Sequence, residues 1–303
     1  MPEIPDIDLY LVHLERRFRG QVLEGIRLAS PFLLRSVMPP LASCHGKTVS
    51  GFRRLGKRIV WELEDDLFLV FHLMVAGRFH LKPAGAKLGR RNALAAMDFP
   101  SASIFLTEAG TKKRASLHLV RGESGLLRHD PGGLEVLAVP AEVFETRLRS
   151  GNHTLKRALC DPRFFAGIGN SYSDEILHAA RLSPMKRTRD LSATEVARLF
   201  EACRRTLQFW SEKLRREQAD RFPEHVTAFH ADMAVHGRYR QPCPDCGAPV
   251  QRIVYGEREM NYCADCQTGG RVLADRGLSR LLKSDWPKTV EAWEDLWRPS
   301  DPG

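Results

Sequence analysis

No stretch of this chain is long and apolar enough to span a bilayer, which excludes a helical membrane protein. The start lacks the basic and then apolar character of an export signal: Met1-Pro2-Glu3-Ile4-Pro5-Asp6 is acidic. No internal repeat runs through the 303 residues, so a solenoid is excluded. Cysteine is scarce outside one short region. Cys44, Cys160 and Cys203 are scattered singly, the pattern of small buried hydrophobes and not of a disulfide framework. These absences imply a reducing, cytoplasmic setting. Acid is also in short supply, with 37 Asp and Glu against 46 Lys and Arg, a formal net charge of +9. A basic excess of that size calls for an anionic partner, nucleic acid first. The length suffices for two domains with real cores plus an appendage.

What the chain does have is a pair of CxxC motifs, Cys243-Pro244-Asp245-Cys246 and Cys263-Ala264-Asp265-Cys266, separated by sixteen residues. That spacing fits a four-cysteine zinc site, each pair offering two thiolates to one tetrahedral ion. The run from Gly247 to Tyr262 can turn and return as two short strands, making a ribbon. Two disulfides would need an oxidising compartment. One structural zinc ion is therefore expected.

The hydrophobic pattern changes period along the chain. Ile7, Leu11, Leu14 and Phe18 share one helical face, and Gly20 follows as a stop. Then about eight short strands are expected: 22–28, 48–54, 58–63, 67–72, 78–81, 95–99, 103–107 and 115–120, with Gly56-Lys57 and Asp65-Asp66 as turns. One helix and about eight strands suggest a β-sandwich. Residues 131–140 read as a linker, and helices are expected over 141–149, 154–159, 171–181 and 193–216. The expected division is a β-sandwich domain at 1–130, a helical domain at 131–234, a zinc ribbon at 235–267 and an extension at 268–303 with an amphipathic piece around Val290, Trp293 and Trp297.

Four features carry chemistry. Pro2 would become a terminal secondary amine on removal of Met1; an α-amine has a pKa of about 8, so a useful fraction is a neutral nucleophile. Glu3 and Asp6 could move protons beside it. Lys57, at a turn between two strands, can reach a phosphate or a leaving oxygen. Gly167-Ile168-Gly169-Asn170 opens a helix, a ready phosphate site, with Asp174 and Glu175 expected in its first turn to suit the helix dipole. Arg258, at the expected tip of the ribbon hairpin, can bind phosphate.

In this order, Pro2-Glu3-Ile4-Pro5-Asp6, Gly56-Lys57-Arg58, His72-Leu73 with Gly77, Ala166-Gly167-Ile168-Gly169-Asn170 and the closing CxxC pair resemble the Fpg/Nei family of DNA glycosylases, which includes formamidopyrimidine-DNA glycosylase and endonuclease VIII. The resemblance spans about residues 2–267. It implies an α+β multidomain fold: an N-terminal β-sandwich with a leading helix, a helix–two-turn–helix domain and a C-terminal four-cysteine zinc ribbon. It implies a bifunctional glycosylase and AP lyase of base excision repair that removes oxidised or ring-opened bases through a Schiff base on Pro2 and breaks the strand by β,δ-elimination. Glu3 matches the acid/base partner, and Lys57 and Arg258 match assisting catalytic residues. Asn170 matches the phosphate-binding asparagine, and Lys156 a lysine near the phosphate of the damaged nucleotide. The expected partner is damaged DNA, with no membrane, the protein acting as a monomer and associating with the nucleoid if bacterial.

The chain also departs from that family. Asp6 stands where Glu is usual. Met74-Val75 replaces the Gly-Met that supplies a void-filling wedge, and Lys112-Lys113-Arg114 stands near the place of the other wedge residues. No counterpart of the lesion-capping loop is legible in 220–234. Two alternatives follow: a lyase or glycosylase acting on abasic sites, crosslinks or single strands, or a non-catalytic damage-binding protein on the same scaffold.

Overall fold

The computed structural model describes residues 1–89, 92–225, 229–255, 258–274, 281–290 and 292. Its contacts divide the chain into two units. One holds Met1–Glu135 with Leu207–Thr227, and the other Val136–Thr206 with Ala228–Gly303.

The first unit opens with α1 (Ile4–Phe18). Glu3 is its N-cap, with Pro5 in the first turn, where a missing N–H costs nothing. The Glu3 amide donates to the Asp6 carboxylate at 2.9 Å and the Glu3 carboxylate accepts from the Asp6 amide, a reciprocal capping box. Ile7, Tyr10, Leu14 and Phe18 recur at helical spacing and are buried in the main core. The helix stops at Gly20, whose φ of +78° suits glycine and whose amide donates to the Val49 carbonyl.

Two antiparallel sheets follow. The first has the order β1 (Val22–Leu23), β3 (Lys47–Leu55), β4 (Arg58–Leu63), β5 (Leu67–His72), β9 (Ser116–Arg121). The second has the order β2 (Gly25–Leu28), β7 (Ala93–Asp98), β8 (Ser103–Glu108), β6 (Gly77–Lys82). The single strand expected over 22–28 is thus two strands in two sheets. At Glu24 the amide leaves the first sheet and donates to the carbonyl of Asp98, the residue that pairs with Gly25. This crossing raises the expected eight strands to nine in the described part of this unit.

Strand alternation sorts the side chains. Ile59, Trp61 and Leu63 of β4, Leu67, Leu69 and Phe71 of β5 and Leu117 and Leu119 of β9 enter the core between helix and sheets. Trp61 sits among Phe52, Phe71, Phe79 and Phe99 with ring centroids 5.0–6.1 Å away. The opposite face of the same strands carries Val60, Phe68 and Val70, covered by Leu126 of α2 (Glu123–Leu127), a short helix absent from the sequence-based expectation.

The second unit contains α3 (Ala141–Arg149), α4 (Leu155–Cys160), α5 (Asn170–Ala179), the first part of α6 (Ala193–Glu217), the hairpin β10 (Val250–Tyr255) and β11 (Arg258–Cys263), and α7 (Ala264–Thr268). Phe144, Phe165 and Phe200 meet in its helical core, with centroids 5.0–5.2 Å apart. Of the amphipathic piece expected in the tail, Trp293 and Trp297 lie outside the described residues.

Candidate functional site

The chemistry-bearing residues of the first unit gather around the start of α1. Glu3 and Asp6 are almost fully buried, at 2 % and 4 % exposure, and Pro2 is buried as well. Each carboxylate is held by a backbone amide through the capping box, so the two acids are fixed relative to the chain start. Met1 is part of the structure, so Pro2 nitrogen is an amide and the terminal amine belongs to Met1, one residue upstream. That amine has its pKa lowered. Burial is the main cause, with Arg78 and Lys57 adding to it and Glu3 and Asp6 opposing it. Burial at this position thus favours the neutral, nucleophilic form of an amine.

Lys57 is the second residue of the two-residue turn joining β3 to β4. Leu55 pairs with Arg58, and Gly56 has a φ of +58°, the conformation such a hairpin needs at its first central position. Arg54 braces this turn. Its guanidinium donates to the Gly56 carbonyl at 3.3 Å, forms a two-pronged bridge to Glu135 at 2.7 and 3.0 Å and reaches Asp8 of α1 at 3.2 Å. The lysine is therefore mounted on a rigid support tied to the helix that carries Pro2 and Glu3.

His72 ends β5 directly opposite Arg58. Its Nδ1 accepts from the Met74 amide at 3.1 Å, so in the neutral ring the proton sits on Nε2. Burial, then the charges of Arg58 and Lys57, push its pKa down to about 4. After it the chain makes a tight turn in which Met74 has a φ of +54°. Gly77 is obligatory here, because a Cβ would stand 2.2 Å from the Leu73 carbonyl oxygen. Val75, at the tip, is 59 % exposed. Lys112 and Arg114 are exposed in the loop before β9, while the Lys113 ammonium donates to the Glu108 carbonyl. The Glu108 carboxylate accepts from the Arg114 and Ala115 amides and shapes that loop.

The second unit carries a different kind of site. Gly167 has a φ of +75°, Gly169 is the N-cap and Asn170 the first residue of α5. The Asn170 amide group donates to the Glu259 carbonyl at 2.7 Å, so it also fastens the helix start to β11. Asp174 and Glu175 are not in the first turn as expected. The helix begins at Asn170, which puts them one turn further in, and both are buried. Their work is tertiary. Asp174 accepts from Lys156 at 2.5 Å, from the Asn261 amide at 3.1 Å and pairs with His236 at 2.8 Å. Glu175 accepts from the amides of Ala234, Val235 and His236 at 2.7–3.0 Å. Lys156 also donates to the Asn170 carbonyl at 2.6 Å. Two of its three protons therefore stay inside the unit. Arg258 opens β11, pairing with Tyr255 across the hairpin; its side chain lies outside the described residues.

Cys243, Cys246, Cys263 and Cys266 bring their four sulfurs within 4.8 Å of one another, with Cys243–Cys266 at 3.9 Å and Cys246–Cys263 at 3.4 Å. A tetrahedron of thiolates around one ion, at about 2.3 Å per bond, has edges of about 3.8 Å. The cluster could hold a metal ion. Burial, and then the neighbouring thiols, push Cys263 up to about 12 and raise Cys266 as well, whereas Cys246 is lowered. His178 of α5 reaches the Cys243 sulfur at 3.3 Å, and Gln267 ties the Cys263 amide to the Leu182 carbonyl.

The contacts of Arg58, Arg78, His72, Asp174, Glu175 and His236 are not among the sequence-based expectations. For Arg58 and His72 a signal exists: both alternate with core residues on strands, which places them on the far side of the sheet. For Asp174, Glu175 and His236 no short-range signal exists, because their partners lie 18 to 87 positions away.

Residues 1–114 match the family model described as the formamidopyrimidine-DNA glycosylase N-terminal domain, and residues 133–214 match its H2TH domain. The chain is 32% identical over 279 residues to a formamidopyrimidine-DNA glycosylase of Thermus thermophilus, covering 89% of this chain and all of the relative. It is 36% identical over 151 residues to an uncharacterised formamidopyrimidine-DNA glycosylase-like protein of Mycobacterium tuberculosis, covering 50% of this chain and 94% of that protein. The fold is similar to that of Lactococcus lactis Fpg in complex with DNA containing an abasic site, at TM-score 0.78 and 25% identity, covering 88% of this chain and 99% of that one.

Proposed function

The chain belongs to the formamidopyrimidine-DNA glycosylase family, and from that premise we propose that it is a base-excision DNA glycosylase and AP lyase whose nucleophile is Pro2. The observation that carries this reading is the buried chain start. A terminal amine whose pKa burial lowers is influenced by two fixed carboxylates and the braced Lys57. With Met1 removed, the Pro2 nitrogen becomes a secondary amine in that environment.

A base stacked in a duplex is out of reach, so the nucleotide is flipped out at a cost of a few kcal/mol. The Pro2 lone pair attacks C1′, the glycosidic bond breaks and its electrons leave with the base, which takes a proton from Glu3 or a group it serves. Opening of the sugar ring gives a Pro2 iminium. Positive charge next to C2′ acidifies that C–H bond, its proton passes to a base, and the 3′ phosphate leaves in β-elimination. A second elimination releases the 5′ phosphate, and hydrolysis frees Pro2. Lys57, Arg258 and the start of α5 with Asn170 hold phosphates. Lys156 keeps the α5 start in place through Asn170 and offers its third proton outward. One zinc ion on Cys243, Cys246, Cys263 and Cys266 would fix the ribbon that presents Arg258. The protein acts as a cytoplasmic monomer on damaged DNA.

The test is borohydride trapping on a duplex bearing an abasic site, using protein whose processed amino terminus is verified by mass. A stable protein–DNA adduct mapping to Pro2 is expected. An adduct undiminished in Pro2→Gly, or none from processed protein, overturns the nucleophile. Binding without an adduct would instead identify a damage-binding protein.

One observation favours a particular substrate range. The turn tip carries Val75 instead of a longer wedge, and the neighbouring loop offers Lys112 and Arg114, so less apolar bulk is available to fill a flipped-base void. Substrates whose stacking is already broken, such as abasic sites, ring-opened purines and single strands, should be cleaved faster than 8-oxoguanine paired with cytosine. Cleavage rates for one lesion set in duplex, bubble and single-strand DNA decide it, and a preference for paired 8-oxoguanine overturns it.

A further inference from the structure

Some arginines in the first unit have a carboxylate. Arg27 pairs with Asp98, Arg53 with Glu62 and Glu123, and Arg54 with Asp8 and Glu135. Others have none, and four basic residues without one lie close together. Arg35, Arg58, His118 and His129 have no side-chain hydrogen bond or ion pair to any described residue. They are near one another. Arg58 lies on β4 facing His72 of β5, and His118 lies on β9 facing Val70 of β5. Strand alternation turns Arg58, His72 and His118 toward the face opposite the core, where Val60 and Val70 lie. The His118 and His129 rings sit 4.4 Å apart.

We propose that Arg35, Arg58, His118 and His129 form a phosphate-binding site on the outer face of the five-stranded sheet, taking a phosphodiester of the DNA backbone. The proposal rests on the DNA-binding reading above and extends it to residues outside the catalytic start. The physical argument is one of pairing. A cation placed beside other cations without a carboxylate raises the free energy of the protein alone, and an arriving anion offsets that cost. The surroundings of His118 show this. Arg58 faces it from β4, His72 lies on β5, His129 follows α2 and Arg35 comes from the 31–40 loop. Among the described residues, the acid that acts on Arg58 is Asp130, whose carboxylate accepts from the Gly132 amide. Burial, His129, Arg58 and Arg35 hold the His118 pKa down to about 4, and burial with Arg58 lowers His129. The group is also continuous with the chain start, since Lys57 acts on both His72 and the terminal amine.

The sign of the pH effect follows. In the free protein, burial and the neighbouring cations favour the neutral form of both imidazoles. A bound phosphate replaces repulsion with attraction and raises both pKa values, so binding takes up protons and tightens as pH falls. A site made of arginines alone would show no such linkage.

The experiment measures binding of a fluorescent duplex carrying a tetrahydrofuran abasic analogue, by anisotropy, across salt and between about pH 7.5 and about pH 5.5. Arg58→Gln should lower the slope of log Kd against log salt by about one, the loss of one phosphate contact. The double variant His118→Gln/His129→Gln should lose most of the affinity gained by the wild type on acidification, any remainder belonging to His72. Thermal melting confirms that each variant is folded, and His118→Gln alone serves should the double variant melt early. An unchanged salt slope in Arg58→Gln, or a pH profile like the wild type in the histidine variants, overturns the site. So does an equal response to free inorganic phosphate at millimolar concentration, which would mark a small-anion site. Borohydride trapping on the same variants separates the two readings. Normal adduct with an unchanged slope sinks only this site, whereas loss of adduct in the wild type sinks the nucleophile.

Discussion

The two units handle positive charge in opposite ways. In the first, Lys57, Arg58, His118 and His129 have no ion pair among the described residues, and the pKa values of His72 and His118 fall to about 4 through burial and the cations around them. In the second, Lys156 and His236 share the fully buried Asp174, while Glu175 accepts three backbone amides in a row. On the reading proposed above, the first cluster leaves its charge for a phosphate, whereas the second holds a helix start against the strand leading to the cysteine cluster. Net charge alone would treat both as basic patches. On that same reading, the Arg58 cluster is open to an anion, whereas the Asp174 cluster keeps the second unit in shape.

The largest effect that could break this comparison lies in the second unit. Structural zinc contributes about 10–16 kcal/mol of apparent binding energy in isolated fingers. Cys263→Ser should release one equivalent of zinc, measurable by metal analysis, and unfold the ribbon, with loss of DNA affinity but not of the chemistry of any DNA that still binds. A ribbon variant that holds DNA normally would remove the second unit from the comparison.

In the first unit, Glu3→Gln should slow base excision by about 10²–10⁴-fold, the usual worth of positioned proton transfer, while DNA affinity changes little. Single-turnover rates at saturating enzyme separate the two. Equal losses in rate and affinity would mean that Glu3 serves mainly as the cap of α1.

Asp174→Ala tests the structural half directly. It strands Lys156 and His236 in a site where Asp174 has no exposure, and breaking a buried pair costs about 3–5 kcal/mol. Denaturant melts should show that loss. A surface effect of under about 1 kcal/mol would show that the network is not a support.

The smallest effect is the most diagnostic. Lys57→Ala and Arg258→Ala should each lower the salt slope of DNA binding by about one with no loss of melting temperature. Asn170→Ala should weaken binding with little change in slope, because its side chain is neutral. If Lys57→Ala instead destabilised the fold, the first unit would resemble the second.

Local periodicity makes much of the fold legible in the chain itself. The helix of residues 4–18, the strands at 58–63 and 67–72, the helix at 141–149 and the ribbon hairpin each follow from a pattern that a window of a few residues contains. The cysteine set follows from spacing alone, because a CxxC pair brings two sulfurs together whatever the rest of the chain does. The break of 22–28 into two strands has no such signal, since it depends on Asp98 receiving the Glu24 amide. Nor does the short helix at 123–127, because only its burial on Phe68 and Val70 gives it a reason to form.

What the sequence determined by itself, then, was the inventory: a proline in second place with two acids close by in sequence, a lysine on a hairpin, a glycine-framed helix start and four thiols in ribbon register. Those are local facts, fixed by neighbours along the chain. What the tertiary structure decided was which charges are paired. Asp174 meets Lys156 across 18 positions and Asn261 across 87, while Arg58, His118 and His129 meet no described carboxylate partner and gather beside one another. Pairing depends on distance through space, and the free energy of a charge depends on its pairing and burial. The difference between a cation that supports the fold and one that awaits a phosphate therefore comes into being only when the chain has folded.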